Sequence, residues 1–310
     1  MTRISFYGLN YSDNFVFHFV MPFESSNDVL NWYERQERTL TPEFIASIPW
    51  EKVKETPIDE KFIPVLFYMR DVETLTQMYQ EELRRTPTGR DPVIAKFMER
   101  WGVEEMTHGE VLNRFLNEAG YLTPEDWRQR VRRSVPTDYT VITYLQTMLT
   151  NLLGSTFKAT HMAFGAIHEM STAQGYRRMD LLARHPVLSM ILHGILREEA
   201  AHTQFYLNIA RIELRKSQAA RKIARKVVET FWKPVGQGSL PRWRAEYTIA
   251  TLFSDPDGVG QVDRTVTRRI WQMPGFEGLT KVSSRISDIC RKGVSARGLA
   301  AIVAAFCISL

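Results

Sequence analysis

Apolar residues recur at helical spacing along most of the chain from about residue 58 onward. Residues 59–85 place Leu66, Met69, Met78 and Leu83 on a rough helical period, and Thr86-Pro87-Thr88-Gly89 breaks it. A second helix is predicted over 91–118, with Gly120 and Pro124 marking the connection that follows. A third is predicted from Asp138 to about Arg178, and a fourth over 187–214 after His185-Pro186. A fifth reaches about Trp232, where Pro234, Gly236 and Gly238 end it. Residues 1–57 hold aromatics and scattered prolines without a sustained period. There is no strand-rich block, no solenoid repeat and no glycine-rich phosphate loop. The chain is therefore expected to be all-α. Its expected parts are an N-terminal arm (1–57), a helical bundle with a basic helix (58–233) and a helical C-terminal extension packed on it (234–310).

One polar pattern interrupts the apolar faces twice. Glu104-Glu105-Met106-Thr107-His108 lies in the second predicted helix, and Glu198-Glu199-Ala200-Ala201-His202 in the fourth. Positions i and i+3 share a helix face, so Glu105 with His108, and Glu199 with His202, can each grip one ion. His fills only 7 of 310 positions, so the same offset after two Glu-Glu pairs is not an accident of composition. Carboxylate-bridged di-metal bundles take a Glu-x-x-His from each of two helices and one Glu from each of two others. That rule demands an acid on an apolar face of the first and third helices. The first offers Glu73 beside Met69 and Leu66, with Asp71 as its competitor; Glu81 and Glu82 lie too near the helix end. The third offers Glu169 among Met162, Gly165, Ala166, Thr172, Ala173 and Tyr176, and residues 140–168 contain no other acid. Burying such an acid is costly unless it is paired or metal-bound.

The candidate ligands are thus Glu73, Glu105, His108, Glu169, Glu199 and His202. Hard oxygen donors with two imidazoles and no thiolate favour iron, as Fe2+ or Fe3+, with manganese as the other candidate. Glu104 and Glu198 sit about 100° round their helices from the ligand Glu. They are expected behind the ligands, accepting the outer N–H of a ligand His.

Charge adds a second feature. The net charge is +5, and residues 211–233 alone hold eight Lys or Arg against two Glu. An acidic partner could dock there, with Arg221, Lys222, Arg225 and Lys226 as the candidate contacts. Arg128, Arg130, Arg132 and Arg133 form a smaller basic cluster. No nucleic-acid-binding motif accompanies either, so nucleic acid is not expected as a partner. Two cysteines, Cys290 and Cys307, suit a reducing compartment and imply no disulfide framework. Residues Phe15 to Phe23 do not read as a signal peptide, and a cytoplasmic location is expected. The apolar tail Leu299 to Leu310 is too short to span a bilayer; packing on the body or peripheral membrane contact are its two readings.

These motifs resemble the soluble acyl-acyl-carrier-protein desaturases, a ferritin-like di-iron family. The run Glu104-Glu105-Met106-Thr107-His108-Gly109 is similar to the first family motif, Glu-Glu-Asn-Arg-His-Gly. The second, Asp-Glu-Lys-Arg-His, is met by Glu198 to His202, with Glu for Asp and two Ala for the basic pair. The family's Glu-x-x-Thr is met by Glu169-Met170-Ser171-Thr172, and Glu73 falls in the similar Val72-Glu73-Thr74-Leu75. The likeness covers about residues 58–210. It implies a ferritin-like four-helix bundle with flanking helices, two carboxylate-bridged irons and a role for Thr172 in oxygen activation. It further implies a cis double bond introduced into a fatty acyl chain on acyl carrier protein, electrons from ferredoxin, and a homodimer. Another di-iron oxygenase, a hydroxylase or N-oxygenase, is the alternative, and a ferritin-like iron-binding protein stands behind it.

Overall fold

The computed structural model describes residues 23–139, 143, 150–151 and 154–293. Among them every regular element is helical, and the sole extended pairing is an isolated bridge between Gln237 and Leu240. The longer helices are α1 (Ser26–Glu34), α2 (Pro42–Ser47), α3 (Ile63–Thr74), α4 (Thr76–Arg84), α5 (Pro92–Glu118) and α6 (Trp127–Arg133). They continue with α7 (Lys158–Ala183), α8 (Pro186–Lys216), α9 (Gln218–Phe231), α10 (Arg242–Phe253) and α11 (Lys281–Lys292). No helix of the described residues is long and apolar enough to cross a membrane. The tail at 299–310, and the run from Phe15 as far as Pro22, lie outside the described residues.

Local chemistry sets the ends of the long helices. Asp91 caps α5 by accepting from the Val93 and Ile94 amides, and Pro92 takes the first position, where no amide is needed. Pro186 does the same for α8, with the His185 ring accepting from the Leu188 amide. α7 ends where Arg184 turns left-handed at φ 50°.

Three boundaries differ from the pattern-based expectation. The helix expected over 59–85 is two helices, because the backbone shifts at Leu75, between α3 and α4. The helix expected to run unbroken from Asp138 is interrupted by a 3-10 turn, Gly154–Phe157. Gly154 opens that turn at φ 61°, a conformation glycine adopts without cost. The described part of the aperiodic arm contains two α-helices; α1 is only nine residues long and rests on a capping box between Ser25 and Asp28.

The most extensive packing is α7 along α8 and α3 along α5; α5 also touches α8. α1 lies on α8 and α5, and α10 lies on α3. A continuous apolar core runs through these contacts from Val29 to Ile289, so the described arm and C-terminal extension share the interior of the long helices. At the centre of that interior sits a group of acids and histidines.

Candidate metal centre

Four helices deliver the six candidate ligands. α3 brings Glu73, α5 brings Glu105 and His108, α7 brings Glu169, and α8 brings Glu199 and His202. All six are buried, with His108, Glu199 and His202 at 0 % exposure. They form two groups, Glu73-Glu105-His108-Glu199 and Glu105-Glu169-Glu199-His202. Within each group the ligand atoms lie within 4.8 Å of one another, and Glu105 and Glu199 belong to both. Asp71, the competitor of Glu73, points elsewhere: it pairs with Arg70 and with Arg244, whose Nη2 is 2.7 Å from its Oδ2.

The ring nitrogens divide their work. His108 Nε2 is 3.0 Å from Glu198 Oε2, and His202 Nε2 is 2.8 Å from Glu104 Oε2. Each acid thus holds the histidine of the other motif, across the α5–α8 contact. The tautomer follows: the outer nitrogen donates, leaving Nδ1 as a lone-pair donor facing inward. His108 Nδ1 lies 3.5 Å from Glu199 and 3.8 Å from Glu73. His202 Nδ1 is 2.9 Å from Glu105 Oε1 and 3.9 Å from Glu169 Oε2. Yet among the described residues neither Nδ1, nor Glu105 Oε1, nor either Glu199 oxygen has a partner in hydrogen-bonding geometry; the 2.9 Å contact fails on angle, not on distance. Buried polar atoms without partners are rare and costly. Five of them converging on one space is the arrangement a cation would satisfy.

The electrostatics agree. Burial, reinforced by Glu73, Glu199 and Glu169, pushes the Glu105 carboxyl well above the usual range. Burial and Glu199 do the same to Glu169. For His108 burial works against the charge, but the Glu198, Glu199 and Glu73 carboxylates around the ring outweigh it and raise it well above an ordinary histidine. Burial also opposes ionisation of Glu104, but His202, Tyr33 and Arg100 hold it down at about 2. Glu198 is likewise lowered, by His108 and the Leu40 amide, against its burial. The outer acids are therefore charged and the inner cluster is short of positive charge. The buried Glu and His groups are close enough to hold a metal ion, and the oxygen-rich, thiolate-free donor set suits iron or manganese.

The support behind the ligands comes partly from residues that no motif announced. Tyr33 on α1 donates to Glu104 at 2.6 Å, and Arg100 donates to the same acid at 2.8 Å. The amides of Thr39 and Leu40 donate to Glu198 at 2.8 and 2.9 Å. Arg38 bridges the two acids, with Nε 3.7 Å from Glu104 and 3.9 Å from Glu198. Tyr176 donates to Glu73. Only Arg100 carried a sequence signal, its i to i+4 spacing from Glu104.

Beside the cluster lies an apolar cavity of about 80 Å³. Glu73, Thr172 and Tyr176 stand on its wall with Met69, Val72, Ile249, Leu252, Phe253 and Val266. Gly165 and Ala166 do not line it. The ring of Tyr206 fills the space at Gly165, where an added Cβ would lie 2.3 Å from it.

The basic stretches are less available than the sequence suggests. Arg221 donates to the carbonyls of Leu214 and Arg215. Arg225 holds Glu229 and the carbonyls of Gly275 and Glu277. Both are structural ties, while Lys222 and Lys226 face outward. Arg128, Arg130 and Arg132 are paired with Glu110, Asp126 and Glu81.

No protein-family model, curated protein or solved structure matches this chain.

Proposed function

We propose that this chain is a di-iron oxidoreductase on a ferritin-like bundle, which uses O2 to introduce a cis double bond into a fatty acyl chain. The observation that carries the reading is the pair of ligand groups sharing Glu105 and Glu199, with unpartnered donor atoms turned inward. Glu73 and His108 would complete one iron and Glu169 and His202 the other, with Glu105 and Glu199 between them. When bound, the irons couple O2 to the chain's oxidation: two hydrogens from the substrate, with two electrons and two protons from outside, reduce O2 to two waters.

The protein's share is placement. Glu104 and Glu198 orient the ligand imidazoles, and Arg38, Arg100 and Tyr33 keep those acids in place. The apolar cavity keeps water away and offers hydrocarbon a position next to Glu73. Thr172 stands on the same wall, where its hydroxyl can accept or hand on a proton at the boundary of cluster and cavity. The apolar lining favours an acyl substrate over an amine, so N-oxygenation ranks below hydrocarbon oxidation. Acyl carrier protein as substrate carrier, ferredoxin as electron donor and a homodimeric state complete the proposal; they rest on the motif resemblance.

Iron-loaded protein given acyl-carrier-protein thioesters, ferredoxin, its reductase, NADPH and O2 is expected to yield a monounsaturated acid two mass units below the substrate. A product heavier by one oxygen would replace desaturation with hydroxylation.

A further inference from the structure

A basin of about 490 Å³ opens beside the apolar cavity, and nothing in the catalytic reading uses it. Its wall carries Lys233, Arg242, Lys281 and Arg285, and no carboxylate among the described residues. Arg242 is tied to Glu246 at 2.6 Å. Lys281 and Arg285, one turn apart on α11, are half-buried and show no ion pair among the described residues. Holding two partly desolvated cations together without an anion is unfavourable.

Two further features add to the positive potential. Arg242 and Lys281 are the first residues of α10 and α11, twelve-residue helices whose starts have no side-chain cap. Both leave amide donors and the positive dipole end near the basin. Trp232 also lines it; the indole is 2 % exposed, and its N–H finds no acceptor among the described residues. Trp232 is at the same time part of the wall of the apolar cavity that reaches Glu73. Trp232 is therefore common to the walls of the cationic basin and of the apolar cavity.

We infer that the basin binds a phosphate group at the polar end of a ligand whose apolar chain passes Trp232 toward Glu73. The apolar half of this inference rests on the acyl reading above; the anion site stands on its own residues. The phosphate could belong to a phosphorylated carrier arm or to a phosphorylated lipid.

Metal-free full-length chain separates the parts, because binding then needs no catalysis. Octyl phosphate and inorganic phosphate are titrated by calorimetry into wild type, Lys281→Gln/Arg285→Gln and Lys222→Gln/Lys226→Gln. Both substituted pairs retain the wild-type melting temperature if folded. We expect octyl phosphate to bind more tightly than phosphate, and the basin pair to weaken it at least about tenfold, the loss of two close charge-assisted contacts. The α9 pair should stay within about twofold, because neither Lys222 nor Lys226 lines the basin and exposed charges are screened by salt. 4′-Phosphopantetheine binding more tightly than octyl phosphate identifies a carrier arm as the source; the reverse order identifies a lipid. No binding, or equal weakening by both pairs, overturns the site. Equal affinity for phosphate and octyl phosphate overturns the link to the apolar cavity while leaving the iron reading untouched.

Discussion

At the scale of single residues, the site was readable because its chemistry conflicts with its surroundings. Glu73 and Glu169 stand on apolar faces, and the repeated Glu-x-x-His puts two donors on one side of a helix. The structure brings all six candidate ligands together. What could not be read was the traffic behind them. The swap of Glu104 to His202 and of Glu198 to His108 depends on how α5 meets α8, and Tyr33 reaches Glu104 from 71 positions away. Gly109 shows the opposite case, a residue noticed for its motif whose reason is steric. A Cβ there would sit 2.9 Å from Thr74 Oγ1, 3.4 Å from the Arg70 carbonyl and 3.5 Å from Glu73 Cβ. Gly109→Ala must therefore turn the Thr74 hydroxyl aside or press α3 away from α5, at about 1–2 kcal/mol. Iron binding should fall toward one ion per chain, because Glu73 serves only one of the two ligand groups. An unchanged melting temperature and full metal content would show that α3 yields without moving Glu73.

At the scale of elements, the long helices were legible and the short ones were not. α5 and α8 announce themselves by a proline at the first position and a long apolar stripe. α1 has too few residues for a period to emerge, and its place comes from Val29, Leu30 and Tyr33 packing under the long helices. The breaks at Leu75 and Gly154 are likewise decided by tertiary contacts and backbone geometry more than by composition. The break after α3 leaves α4 carrying Glu82 into a half-buried position against Tyr139. Burial raises Glu82 to about 7, although Arg85, Tyr139 and Arg132 oppose it. A carboxyl whose folded-state value is raised stabilises the fold below its ordinary value of 4.5 and loses that contribution as pH rises through about 7. The melting temperature of Glu82→Gln relative to wild type should therefore climb between pH 5 and pH 8. A difference that is flat across that range would mean Glu82 is solvated in solution.

At the scale of the whole molecule, the described arm, long helices and C-terminal extension share one core, and the buried Glu and His cluster lies in its middle. Each side contributes to the site: the arm supplies Tyr33, Arg38 and two amides, and the extension supplies the far wall of the cavity. Metal removal should therefore act globally. A ligand at a thousand times its dissociation constant stabilises the folded state by about 4 kcal/mol. Iron-loaded protein should melt several degrees above the metal-free chain, in one transition. A metal-dependent change confined to part of the transition would mean that the arm and extension fold separately.

The proposed centre holds two ions between four helices, sharing Glu105 and Glu199. Anaerobic titration with ferrous iron, read by metal analysis after desalting, tests it most directly. Close to two irons per chain are expected in the wild type, and loss of both in Glu105→Ala/Glu199→Ala, whose folded state is verified by circular dichroism. Wild-type protein that retains no iron, or a double variant that still holds two, would contradict it.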